Sequence, residues 1–291
     1  MDLPAPVRNA AFVLLGVSMG ASVTPETMEQ LRAWPLSLAL LAGSVAATLL
    51  AGALYLRRVH GWDPVTARYA SIPGALSSVL VLAATSAADL PRVALAQSVR
   101  LFTLVALMPA ILSLVGDRAG AEPPANAAVT STLPESVVTL TASAAVAGLL
   151  AALHVPGGVL LGAMVASAAL HGAMMAGRLP PGLLILGFVA TGAVIGARFR
   201  GTTLAVLGRT LPGALGSVLL ALALSAGFAA LGAYWLGLPF GQLWLAYAPG
   251  GVEAMAVMAL ALQLDPAFVG AHHVTRILGL NLVVPLWQRR R

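Results

Sequence analysis

YAPGGVEAM, residues 247–255, places Pro249, Gly250, Gly251 and Glu253 inside a stretch that is otherwise greasy enough to sit in a membrane. A second interruption, SIPGALSS at 71–78, repeats the Pro-Gly pair at Pro73 and Gly74. Proline removes a backbone donor and clashes with the preceding turn, and glycine relaxes the chain, so each stretch predicts a broken helix, with Pro73 and Gly74 as a hinge in the first. In hydrocarbon a freed backbone group costs several kcal/mol, so such a break persists only where protein or water covers it. A kinked packing helix is the plainer reading, because neighbouring helices can also satisfy the freed groups.

Composition sets the environment. Charged residues make up 9% of the 291 residues, against roughly 25% in a soluble domain, and the mean hydropathy is +0.92. Apolar runs near 8–23, 36–56, 69–87, 93–115, 136–154, 157–176, 182–199, 212–236, 240–263 and 267–287 approach or exceed the length a helix needs to cross hydrocarbon. Nothing alternates with the two-residue period of a barrel strand. The expected fold is an all-α polytopic membrane protein with about ten apolar segments. All 16 basic residues are arginine and the formal charge is +6, yet they form no stripe that would bind nucleic acid. The absence of cysteine excludes disulfides and thiolate metal sites. The polar connection GDRAGAEPPANAAVTSTLPES at 116–136 divides the chain into 1–116, a linker at 117–135, and 136–291.

Sliding the chain against itself by 176 residues superimposes Pro4 on Pro180, Phe12 on Phe188, Gly16 on Gly192 and Gly20 on Gly196. Further on, Gly61 meets Gly237, Pro73 and Gly74 meet Pro249 and Gly250, Asp89 meets Asp265, Arg100 meets Arg276 and Pro109 meets Pro285. Shared greasiness does not produce agreement at these residue types, so the register predicts an internal duplication. The opening VRNAAFVLLGVSMGASV resembles a secretory signal in isolation, but its counterpart inside the chain argues for a helix of the fold. Segments 136–154 and 157–176 precede the matched region of the second copy, and the first copy lacks that helix pair.

Arginine placement separates two topologies. If every segment crosses, nine arginines lie on the N-terminal side and five lie opposite. If 69–87 and 240–263 dip in and return, Arg92, Arg198, Arg200 and Arg209 join the N-terminal side, Arg118 and Arg178 leave it, and the balance becomes eleven against three. The positive-inside rule favours the second arrangement, with both termini cytoplasmic. Five crossings then separate the starts of the two copies, which makes the repeats inverted, a pattern suited to alternating access.

The polar chemistry follows each break, in ADLPRVALAQSVRLF at 88–102 and LDPAFVGAHHVTRIL at 264–278. An unpaired guanidinium deep in hydrocarbon costs at least about 2.5–3.5 kcal/mol, so Arg100 and Arg276 must face protein or water. Gln97 lies three residues before Arg100, and His273 and His272 lie three and four before Arg276, so one helix face gathers these groups. The planar arginine fork suits a carboxylate or phosphate. The competing reading is a structural ion pair, for instance Arg276 with Glu253. Glu253, the one acid inside an apolar segment, reads as a proton carrier, a cation ligand or that partner. Its counterpart in the first copy is Ser77, with Ser78 beside it, so the two copies differ chemically. Asp89 and Asp265 precede helix starts, with Pro91 and Pro266 close behind, and read as N-caps. The side chains of His272 and His273 diverge by about 100°, unlike the i, i+4 pair of a helical metal site, so no metal or other cofactor is expected. Proton relay by His273 and plain packing both remain open. The spacings Gly16–Gly20, Gly158–Gly162 and Gly192–Gly196 fit close helix packing, with or without a homo-oligomer.

At YAPGGVEAMAVMALALQLDPAFVGAHHVTRILGLNLVVPL and its partner ASIPGALSSVLVLAATSAADLPRVALAQSVRLF, the chain resembles the AbrB family of duplicated bacterial membrane proteins, along nearly its whole length. That family carries the labels ammonia monooxygenase and regulator. The resemblance implies a multi-pass protein of the bacterial cytoplasmic (inner) membrane with a transport role, and a further N-terminal helix pair that this chain lacks. A copper monooxygenase needs clustered histidine and carboxylate ligands, and the five histidines here are scattered. A DNA-binding regulator needs a basic soluble module, and no linker here is long or basic enough. The expectation is therefore a secondary transporter, not an enzyme. Its small anionic or zwitterionic solute would meet Arg276, Arg100, Gln97, Ser77, Ser78, Pro249, Gly250 and Gly251, with Glu253, His273 or His272 coupling movement to a proton or cation. The alternative is a membrane scaffold or regulatory protein whose buried charges only brace helices.

Overall fold

The computed structural model describes residues 4–21, 34–74, 76–84, 86–115, 132–173, 179–197 and 204–288. The linker up to residue 131 and the side chains of Ser77 and Ser78 lie outside that description. Every described element is a helix: α1 Ala5–Gly20, α2 Trp34–His60, α3 Pro64–Ser71, α4 Leu76–Ala84, α5 Leu90–Val115, α6 Leu133–Ala152, α7 Gly158–Gly172, α8 Pro181–Ala197, α9 Leu204–Leu236, α10 Phe240–Tyr247, α11 Val252–Ala261 and α12 Pro266–Gln288. Among the described residues, four stretches, Trp34–His60, Leu90–Val115, Pro134–Ala152 and Thr210–Leu236, are long and apolar enough to cross a membrane.

The apolar segments 69–87 and 240–263 are each cut into two short helices, as the Pro-Gly pairs predict. The residue before a proline is driven out of the helical region by the proline ring. Ile72, before Pro73, sits at φ −63°, ψ 120°, and Ala248, before Pro249, at φ −55°, ψ 141°. Helix limits also recur at the 176-residue spacing: α3 (64–71) against α10 (240–247), the starts of α4 and α11 at 76 and 252, and the starts of α5 and α12 at 90 and 266. The turns before α3 and α10 use Gly61 and Gly237 at φ +65° and +66°, a conformation that favours glycine.

The chain packs as two compact units, Met1–Arg32 with Arg118–Ala197 and Val252–Ala271, and Ala33–Asp117 with Arg198–Gly251 and His272–Arg291. In the first unit α1 lies on α7 at near backbone contact. A Cβ added at Gly16 would stand 2.5 Å from the Leu160 carbonyl oxygen, and one at Gly20 2.3 Å from that of Met164. Ser167 donates to the Val17 carbonyl across this contact at 2.7 Å. Gly158 and Gly162 do the same for the α6–α7 hairpin, against Leu150 and Ala147. At Gly192 an added Cβ meets no described residue within 4 Å, unlike its sequence match Gly16, and the surroundings of Gly196 lie outside the described residues.

In the second unit α2 and α9 run antiparallel. Gly232 faces Leu40, Phe228 faces Gly43, Ser217 faces Gly52, Gly216 faces Tyr55 and Gly213 faces His60. Trp62, Ala67, Ala70, Leu95, Ala96, Val99 and Ala214 form one apolar cluster with Leu56, and Tyr69, Ile72, Val79, Ala83, Val93 and Leu280 another with Leu49. The α3–α4 segment leaves and returns at one end of α2. Thr66, in the first turn of α3, accepts from the Asp89 amide at 2.7 Å, and the Arg92 guanidinium lies 5.8 Å from the Trp62 ring centroid. Eight residues of helix make about 12 Å, well short of the roughly 30 Å of hydrocarbon.

Candidate functional site

A helix leaves its last four carbonyls without intrahelical donors, and its C-terminus carries roughly half a negative charge. Breaking the two apolar segments creates such ends in the protein interior, at Ser71 and Tyr247. The side chains read from sequence as a possible site are what meets them. Gln97, on α5, donates its amide to the carbonyls of Tyr69 at 2.9 Å and Ile72 at 3.1 Å. Arg100, one turn further, donates Nη1 to the Ile72 carbonyl at 2.8 Å and Nη2 to the Gln97 amide oxygen.

The second break is closed in the same way 176 residues later. His273, on α12, bonds the Leu245 carbonyl through Nε2 at 2.9 Å. Arg276 donates Nη1 to the Ala248 carbonyl at 2.6 Å and Nη2 to that of Gly250 at 2.5 Å, and Nη2 also meets His273 Nδ1 at 2.7 Å. A carbonyl only accepts and a guanidinium only donates, so His273 carries its proton on Nε2 and is neutral here. His273 thus orients Arg276 as Gln97 orients Arg100.

The breaks also reach each other's arginine. A Cβ added at Gly74, which holds φ +80°, would stand 3.1 Å from Arg276 Nη2 and 3.4 Å from Nε. Pro249 shares with Arg100, Thr48, Ser71 and Ser217 a cavity of about 10 Å³, room for a single water. Arg100 is 7% exposed and Arg276 4%, and the two guanidiniums repel each other. Arg276 Nε has no hydrogen-bond partner among the described residues.

Charge is unbalanced at this point. The acids of the unit are Asp63, Asp89 and Asp117, of which Asp117 lies outside the described residues. Asp63 caps α3 through the Val65 and Thr66 amides, and Asp89 caps α5 and pairs with Arg92 at 3.3 Å. Neither reaches Arg100 or Arg276. Two half-helix C-termini contribute roughly one negative charge against two guanidiniums, which leaves about one positive charge without a counter-ion among the described residues of this unit.

Glu253 stands in the first turn of α11, partly exposed, and belongs to the other unit. Asp265 caps α12 by accepting from the Ala267 and Phe268 amides at 2.8 and 3.1 Å. His272 joins a different group that the sequence does not announce. Its Nε2 lies 2.9 Å from Ser37 Oγ, which lies 2.9 Å from the Tyr247 hydroxyl, and Tyr247 donates to the Ser37 carbonyl at 3.1 Å. With Tyr247 donating there, Ser37 donates to Tyr247 and accepts from His272. All three are buried, and they tie the start of α2 to the end of α10 and to α12.

A family model described as transition state regulatory protein AbrB matches residues 1–290. The chain belongs to the AbrB family. No curated protein and no solved structure matches it. In this AbrB-family chain the matched region contains both breaks, both arginines and all four long apolar helices.

Proposed function

We propose that this AbrB-family protein is a secondary transporter of a small anionic or zwitterionic solute, bound where the two Pro-Gly breaks meet. The observation that carries the proposal is the pair Arg100 and Arg276, buried beside the tips of both breaks with no carboxylate among the described residues of their unit to neutralise them. A permanent, preorganised donor fork beside broken backbone is the arrangement expected of a mid-membrane anion site. In this reading the two halves are inverted repeats, α3–α4 and α10–α11 are re-entrant, and both termini face the cytoplasm. The recurring helix limits, the antiparallel α2–α9 pair and the Thr66–Asp89 contact support that topology. Glu253 couples movement to a proton or cation.

A second reading, a membrane scaffold, draws on a specific observation. Each arginine already spends donors on carbonyls of its own break, which is what a brace does. The two readings separate on ligand binding. Purified protein is screened by thermal shift against phosphate, sulfate, acetate, succinate and glutamate, and uptake of the responding anion is followed in proteoliposomes. The transporter reading requires a response that Arg276→Gln abolishes and Arg276→Lys weakens. Equal affinity in wild type and a folded Arg276→Gln variant contradicts it.

A further inference from the structure

We infer that the α2–α3 elbow is a binding site for the phosphodiester headgroup of an anionic lipid, separate from the arginines of the breaks. Leu54, Arg57, Arg58, Gly61, Trp62 and Pro64 line an open cavity of about 310 Å³ just beyond the end of a membrane-length helix. Arg57 and Arg58 are exposed, and neither guanidinium has a partner among the described residues. The nearest acid in sequence, Asp63, is occupied by the Val65 and Thr66 amides at 3.0 and 2.9 Å. Gly61 turns the chain at φ +65°, and no described residue lies within 4 Å of where a Cβ would stand, so nothing there obstructs the cavity. Arg92 lies over the Trp62 ring but is paired with Asp89 at 3.3 Å, so the charge offered at this elbow is that of Arg57 and Arg58.

Two guanidinium forks beside an open cavity match a phosphate, since arginine binds its oxygens in pairs. A free phosphate and a lipid headgroup share that chemistry, and the flank of α2 decides between them. Leu50 is 62% exposed and Leu54 45% exposed. They stand one turn apart on the face that continues to Arg57 and Arg58, so an apolar strip leads up to the charges. Acyl chains would lie along that strip while the headgroup fills the elbow. A free anion gains nothing from it. Basic residues at the end of a transmembrane helix each add to anionic-lipid affinity, and two of them amount to roughly a 30-fold preference over a zwitterionic lipid.

The test uses the full-length protein in mixed micelles containing equal amounts of phosphatidylglycerol and phosphatidylcholine, with bound lipid counted by native mass spectrometry. Wild type should retain phosphatidylglycerol preferentially. Arg57→Gln/Arg58→Gln should lose most of that preference, while Arg8→Gln, which removes an arginine from α1, should keep it. Thermal unfolding in parallel should show stabilisation of wild type by phosphatidylglycerol and none by inorganic phosphate at the same concentration. Because both substituted residues are exposed, the double variant should fold. An undiminished preference in the double variant, an equal loss in Arg8→Gln, or stabilisation by inorganic phosphate matching that by the lipid would each overturn the assignment.

Discussion

Gly74→Ala measures how tightly the two breaks are joined. Gly74 holds φ +80°, and a side chain there costs roughly 1–2 kcal/mol from backbone strain alone. The added Cβ would also stand 3.1 Å from Arg276 Nη2, 3.4 Å from Nε and 3.6 Å from Cζ, so the guanidinium must give way. Displacing it weakens its bonds to Ala248 and Gly250, and a hydrogen bond to a charged group is worth about 1.5–3 kcal/mol. The expected total is about 2.5–5 kcal/mol. Gly61→Ala supplies the control, because Gly61 has φ +65° and open space at its Cβ, which leaves only the strain of about 1–2 kcal/mol. Both variants are compared by chemical unfolding in detergent, in the wild-type and Arg276→Ala backgrounds. The excess of Gly74→Ala over Gly61→Ala should be present in the first background and vanish in the second. Equal costs for the two glycines in wild type would refute the contact between the first break and Arg276.

Ser37→Ala leaves the His272 Nε2 proton without its buried acceptor, so it should cost about 1–3 kcal/mol in unfolding free energy, whereas an exposed serine such as Ser113 should tolerate alanine at little cost. Gly20→Ala drives a Cβ to 2.3 Å from the Met164 carbonyl and should destabilise by about 1–3 kcal/mol, while Gly192→Ala, in open space, should be neutral by thermal unfolding. Asp63→Ala removes the cap of α3 and should cost about 1 kcal/mol. Burial pushes the Asp63 carboxyl up, but hydrogen bonds from Thr66 and Val65 outweigh it and leave the group below its ordinary 3.8. A depressed acid contributes stability above that value and loses it as pH falls through the folded one. The gap between wild type and Asp63→Ala should therefore be full at pH 7 and shrink below about pH 4.

The parts of this fold that sequence conveys are those where a residue type is costly. Pro73 and Pro249 force extended conformations on Ile72 and Ala248, so the breaks were visible. Arg100 and Arg276 are expensive at depth, and their spacing from Gln97 and His273 carried over directly into hydrogen bonds. What those hydrogen bonds are for was not legible, because it depends on α5 lying against α3, a contact between residues 28 apart. The Ser37–Tyr247–His272 group was missed for a related reason. Serine and tyrosine are common in membrane helices, and Ser37 and Tyr247 meet across 210 residues. The one hint was a serine in the first turn of a largely apolar helix. Gly192 shows the converse limit, since a spacing motif records a shape and leaves the neighbour unspecified. Division into compact units follows packing, so it cuts α12 between Ala271 and His272, where the sequence offers no boundary.

The proposed inverted relation of the two halves is tested most directly by a labelling measurement. Ala87 and Gln263 are exposed, lie 176 residues apart and follow the two broken segments, and the chain has no cysteine of its own. A single cysteine at each is treated with a membrane-impermeant maleimide in spheroplasts. The account predicts labelling of Gln263→Cys from outside and of Ala87→Cys only after lysis. Labelling of both from the same side would make the repeats parallel and contradict it.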